Sequence, residues 1–177
     1  MLLAAVLAGC GYSRTPVPTV VAPSGFNGVS FPRVGIDLFV PRGWTESVSA
    51  LPLAATVSSG PAVIALWRYR RSAPPPSDAA ALAAARHALI SAARARDPGL
   101  VVIRSKLTRI ARAPAVVLDA FEQINGQRRR VRSLHIYVQG AEIVIDEYAP
   151  PSQFHAVDHE VFSPVIHQIR LRRGVIP

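Results

Sequence analysis

The 177-residue chain carries 20 Lys and Arg against 11 Asp and Glu, a formal charge of +9, and half of its residues are hydrophobic. That composition supports one domain with a real core plus a tether, and the positive balance directs attention to anionic partners: lipid headgroups, acidic wall polymers or nucleic acid. A single cysteine excludes an intramolecular disulfide and a cysteine-rich metal site.

The first element is an apolar run, Leu2-Leu3-Ala4-Ala5-Val6, leading through Leu7-Ala8-Gly9 to Cys10. It is too short for a spanning helix or a core helix. In order and position it resembles a bacterial lipoprotein signal, in which a diacylglyceryl group is attached to the cysteine and the chain is cut just before it. The resemblance implies a signal segment over residues 1–9 and a mature chain starting at lipidated Cys10. It further implies anchoring on the cell membrane, outside the cytoplasm. No Lys or Arg precedes the run, a departure from the basic start of that pattern. With Cys10 acylated no thiol is left for catalysis, and no other segment approaches 18 uninterrupted apolar residues. Nucleic acid then drops out as a partner, because an exported protein rarely meets it. The remaining partners are the membrane through the lipid, anionic headgroups or acidic wall polymers, and an envelope protein.

Residues 10–31 read as the lipidated cysteine and a flexible tether, since Pro16, Pro18, Pro23, Ser24, Gly25, Asn27 and Gly28 break any regular period. The folded domain is expected over residues 32–173. Strands are expected at 34–40, closed by Pro41-Arg42-Gly43-Trp44, then at 52–58 and 62–71, where Ala62 to Trp67 reads as buried on both faces. Pro74-Pro75-Pro76 is a stiff connector, and Ser77 or Asp78 caps a helix running to Arg96, with Leu82, Leu89 and Ile90 marking its apolar stripe. Asp97-Pro98-Gly99 ends it. Four strands follow at 100–111, 115–124, 127–138 and 141–149. The last segment, 153–170, is amphipathic through Phe154, Val161, Phe162, Val165 and Ile169, with Pro164 kinking it or marking a late start.

Turn chemistry fixes pairing. Asn125-Gly126 is the strongest type I′ hairpin signal and Gln139-Gly140 a weaker one. Two-residue turns set Asp119 opposite Arg132 and Arg132 opposite Glu147, with Ser133 opposite Asp146, Leu134 opposite Ile145 and Ile136 opposite Ile143. The carboxylates then read as charge balance within a sheet, each pair contributing roughly 0.2–1 kcal/mol.

The order of these elements resembles the PsbP-like, or Mog-type, fold, including LpqN-type actinobacterial lipoproteins. The marks are Pro41-Arg42-Gly43-Trp44, the alanine-rich helix, Ala113-Pro114-Ala115, Tyr148-Ala149-Pro150, Phe154, and Val161-Phe162 through Ile169-Arg170-Leu171. The resemblance covers residues 33–172 and rests on the order of weak motifs. It implies an α+β fold, an antiparallel β-sheet flanked by helices as an α/β/α sandwich. It also implies a non-enzymatic binding or assembly module, and no family functional residue transfers to this sequence.

Candidate sites are few. Arg128-Arg129-Arg130 is the densest basic run and supplies candidate contacts to an anionic surface, with Arg104, Lys106, Arg109 and Arg112 on neighbouring strands. His155 and His159 have a metal-compatible spacing but lack the glutamate of a zincin site, so no metal and no cofactor are expected. Ser133 and His135 share one strand face about 7 Å apart, too far for a direct hydrogen bond unless their side chains converge. There is no nucleophile elbow and no phosphate-binding loop. Trp44 and Trp67 read as core anchors. The leading expectation is thus a non-catalytic envelope lipoprotein. A small hydrolase with an unrecognised site would show a concave pocket holding a Ser or His with a polar partner. A lipid-carrying module would show an apolar cavity between helix and sheet.

Overall fold

The computed structural model describes residues 18–172, so the segment around Cys10 lies outside the described residues. The strands are β1 (Phe26–Phe31), β2 (Ile36–Pro41), β3 (Thr45–Val48), β4 (Leu53–Ser59) and β5 (Ala62–Arg70), followed by helix α1 (Ala79–Arg96). Then come β6 (Val101–Ile110), β7 (Ala113–Ile124), β8 (Gln127–Val138) and β9 (Ala141–Ala149). The C-terminal helical run is α2 (Pro151–Val157), a π-helical turn (Asp158–Phe162) and α3 (Ser163–His167), before the short strand β10 (Arg170–Leu171).

Seven strands form an antiparallel sheet in the order β3-β4-β5-β9-β8-β7-β6, and β1, β2 and β10 form a second, smaller one. The side chains of each strand alternate between two faces. On one face Leu66, Leu134, Ile136 and Ile145 meet Ile36 and Leu38 of the small sheet and Val161 and Phe162 of the helical run, making the main core. On the other, α1 covers part of the sheet through Leu82 against Val116 and Tyr137, and Ala93 against Leu118 and Ala120. This is the expected α+β architecture.

Asp78 is the N-cap of α1, its carboxylate accepting the Ala81 N–H at 2.8 Å. Asp97 closes the other end, accepting from Gly99 at 2.8 Å and from Gln123 on β7 at 2.9 Å. The hairpin registers are those read from the turns: Ile124 faces Gln127, Val138 faces Ala141, and Asp119–Arg132–Glu147 stand in line across three strands. Asn125 and Gly126 both take the positive φ of a type I′ turn, 51° and 72°.

Three features differ from the sequence expectation. The tether expected over 10–31 contains β1, paired with β2 along its whole length, and Val21 is already fixed. Its N–H donates to Ser59 Oγ at 2.9 Å, and its carbonyl accepts the Trp44 indole N–H at 3.0 Å. Asn27 and Gly28 carry turn chemistry, but the ladder to β2 overrides it. Trp67 is not in the main core: it sits half-buried on the side of the sheet that carries α1, stacked on Tyr69 with ring centroids 6.2 Å apart. The helical run begins at Pro151, well before Pro164, which stands in the first turn of its last segment, α3, without breaking the run. A π-turn precedes this proline, with the Ser163 N–H bonded back to the Asp158 carbonyl, and this wider turn accommodates a ring that would otherwise clash with the carbonyl four residues earlier.

Candidate functional site

Beneath α1 the sheet is polar. The β8 residues Ser133 and His135 face the helix, with Asp146 and Glu142 from β9, Glu122 from β7 and Tyr69 from β5. With Arg96 at the end of α1 they line a cavity of about 260 Å³. A chain of hydrogen bonds crosses it. Ser133 donates to Asp146, Ser133 Oγ lies 3.0 Å from His135 Nε2, and His135 Nδ1 lies 2.7 Å from Glu142 Oε1. Arg71 approaches Glu142 at 3.9 Å and Arg96 approaches Glu122 at 3.7 Å.

The Ser133–His135 contact corrects the sequence expectation. The two side chains do converge, because Asp146 and Glu142, the diagonal neighbours of His135 about its partner Val144, pull on the chain from its two ends. Glu142 was not singled out from the sequence, yet the signal lay in the Gln139-Gly140 register, which sets that diagonal.

Serine, histidine and a carboxylate in this connectivity match a hydrolase relay, but two details oppose one. A hydroxyl has one proton. With that proton given to Asp146, Ser133 Oγ meets His135 Nε2 as an acceptor, the reverse of the donation that activates a serine nucleophile. Further, Ser133 is in mid-strand between two neighbours, so the backbone N–H groups around it are committed to the ladders and form no oxyanion hole.

Electrostatics set the cavity apart from the rest of a basic protein. Burial pushes the Asp146 carboxyl up, against the hydrogen bond from Ser133 and the pull of His135 and Arg96. The buried indole N–H of Trp67 lies beside it without closing a hydrogen bond. Burial likewise raises Glu122, against Arg96. Tyr137, at the edge of the same face, is pushed up to about 12 by burial and by Glu142.

The opposite face of β6–β8 carries the basic residues. Three consecutive arginines on a strand cannot share a face. Arg128 and Arg130 lie on one side, over the Phe121 ring at 4.4 and 5.5 Å, and Arg130 also reaches the Phe154 ring at 5.2 Å. Arg129 takes the other side, bonded to Gln127 at 2.5 Å. Arg104 and Lys106, across from Asp119 and Val117, are exposed on the Arg128 side, whereas Arg109 alternates away and Arg112 sits in the β6–β7 turn.

Arg132 behaves differently from its neighbours. Although burial works against its charge, the hydrogen bonds and charge of Asp158, followed by the charge of Asp119, hold its pKa above the usual arginine value. Its guanidinium reaches Asp158 at 2.5 and 2.9 Å and Asp119 at 3.2 Å. Asp119 is shared with Arg104 at 2.8 Å. The charge balance read from the register therefore goes to Asp119 and Asp158, not to Glu147. Glu147 is fully buried, neither of its oxygens has a hydrogen-bond partner, and burial pushes its carboxyl well above the usual range despite the attraction of Arg132. No sequence signal pointed to Asp158, which arrives from the π-turn. His155 and His159 are exposed on the same helical run, and no group of three metal-ligating side chains exists among the described residues.

Comparison with solved structures fits this architecture. The chain is similar to the cyanobacterial PsbP (CyanoP) of Synechocystis sp. PCC 6803, with a TM-score of 0.64 at 12% identity over 93% of this chain and 98% of that one. The fold is PsbP-like. It is similar also to the Ran-binding protein Mog1p of Saccharomyces cerevisiae, with a TM-score of 0.55 at 10% identity over 82% and 95% of the two chains. LpqN of Mycobacterium tuberculosis, involved in cell envelope biogenesis, superposes with a TM-score of 0.53 at 19% identity over 88% and 89%. No family model matches the chain, and no curated protein matches it.

Proposed function

We propose that this protein is a non-enzymatic cell-envelope lipoprotein, anchored by lipid on Cys10, that acts as a binding or assembly module with its arginine-bearing strand face against an anionic surface. The observation that carries the reading is that Arg104 and Lys106 on β6 and Arg128 on β8 are all exposed on the same face of the sheet, spread along it. The similarity to LpqN supports an envelope setting, and the donor–acceptor order at Ser133 supports a non-catalytic role. Lipid supplies the anchor, since apolar burial contributes about 0.8 kcal/mol per methylene. The basic face adds about 1 kcal/mol per cation, screened over about 8 Å at physiological ionic strength.

The test uses the full chain with Cys10→Ser on phosphatidylglycerol and phosphatidylcholine vesicles. Binding is expected to the anionic vesicles alone, to weaken as salt rises, and to fall roughly 30-fold in the Lys106→Ser, Arg128→Ser double variant. A chain that ignores anionic vesicles at low salt defeats the surface reading. Alkyne fatty-acid labelling that persists in Cys10→Ser defeats the anchor.

A further inference from the structure

We propose that the cavity beneath α1 binds a small organic cation, an alkylammonium group held by Asp146 and Glu122, with its carbon chain in the adjoining groove. The site is on the face of the sheet that carries α1, away from the Arg104–Arg128 face, so it stands or falls independently of the surface reading.

The space originates in the sequence of α1. Alanines at 81, 85 and 88 follow a helical spacing and line one side of a groove with short side chains. They leave unfilled a groove of about 730 Å³ between the helix, the Pro74–Pro76 connector and Tyr137. The polar cavity of about 260 Å³ adjoins it, and the two share Leu89, Ala92 and Glu142 as a common wall. An apolar trough thus opens onto a polar end, the form of a ligand pocket with few polar groups placed to orient its guest.

Charge selects the guest. Three carboxylates line the polar end, which excludes an anion. Glu142 has Arg71 and His135 beside it, and Glu122 has Arg96, whose side chain is 73% exposed and held at 3.7 Å. Asp146 has the neutral Ser133 hydroxyl as its hydrogen-bond partner. A desolvated carboxylate is stabilised by an incoming positive charge; burial pushes both Asp146 and Glu122 up, and at Glu122 it does so against the attraction of Arg96. Tyr69 lines the cavity with its ring backed by Trp67, an aromatic surface suited to an ammonium group. A bare metal ion fits less well, because no three ligating groups converge among the described residues.

The probe is n-hexylammonium, titrated into the full chain and followed by amide chemical shifts, with hexan-1-ol and hexanoate as matched-length controls. Saturable shifts are expected at Ser133, His135 and Asp146 with hexylammonium, and binding about tenfold weaker for the alcohol and the acid. Asp146→Asn and Glu122→Gln should each weaken hexylammonium about tenfold, while Glu46→Gln, on the exposed strand β3, leaves it unchanged. Spectral dispersion verifies that each variant folds, and Glu122→Gln alone decides the matter if Asp146→Asn does not. Equal binding of alcohol and ammonium would mean that the groove takes any apolar chain, and would overturn the proposal. So would shifts confined to other strands, no shift at millimolar ligand, or affinity unaltered in the folded carboxamide variants.

Discussion

Replacing Glu147 by Met should stabilise the protein. Glu147 is completely buried among apolar side chains, opposite Arg132 and Ile64, and both carboxylate oxygens lack hydrogen bonds. An unsatisfied buried polar group costs about 1–3 kcal/mol, more when charged, and the attraction of Arg132 returns part of it. Arg132 keeps Asp119 and Asp158, so removing Glu147 leaves no orphaned guanidinium. A net gain of about 2 kcal/mol at pH 7 follows, or roughly 4–8 °C in Tm for a domain of this size. The gain must depend on pH, and its sign is fixed. The unfolded carboxyl titrates near pH ~4.3, whereas burial places the folded one well above that. Between these values the folded state holds a proton that the unfolded state has lost, so wild-type stability falls as pH rises through the window and levels off above the folded pKa. Methionine has no such loss. Urea and thermal denaturation of both proteins at pH 4 and pH 7 should show a larger gap at pH 7 than at pH 4. The other buried acids are present in both proteins and cancel. A lower Tm for Glu147→Met at pH 7, or a gap equal at the two pH values, would refute the reasoning.

The converse substitution, Arg132→Met, should destabilise by about 3 kcal/mol, because it leaves Asp158 with the Ser163 hydroxyl and the buried Asp119 with Arg104; urea titration measures it, and a cost below about 1 kcal/mol contradicts the network. Arg132 also holds the Asp158 carboxyl below its usual value although burial works the other way, so this contribution is present above pH ~4 and lost as pH falls through the lowered pKa. Ser133 should resist a fluorophosphonate probe in the folded protein, since its proton is held by Asp146 and no backbone donors are free to form an oxyanion hole; mass-spectrometric detection of an adduct on Ser133 would revive a hydrolase.

Much of the meander was legible because its determinants are local. Asn125-Gly126 and Gln139-Gly140 each close a two-residue turn, and once the turn is placed the pleat assigns every cross-strand neighbour on β7, β8 and β9. The cap of α1 at Asp78 was legible for the same reason. The β6–β7 turn was expected at 112–114 but lies at Ala111 and Arg112, which take positive φ without glycine or asparagine to mark the place. Strand β1 was not legible, as its Asn27 and Gly28 read as loop until β2 is beside them.

Sequence by itself determined the α+β class, the central hairpin registers, the start of α1 and hence the line Asp119–Arg132–Glu147 across the sheet, since turns and pleats act over a few residues. Only the tertiary structure decided what each of these residues does. The π-turn brings Asp158 to Arg132 and leaves Glu147 orphaned; the cover of α1 turns Ser133, His135, Glu142 and Asp146 into one enclosed chain; and the alternation of β8 divides Arg128 and Arg130 from Arg129. Register sets which side chains are neighbours, whereas burial and partners come from elements distant in the chain, and those two factors fix whether a carboxylate is paired, protonated or open to a ligand.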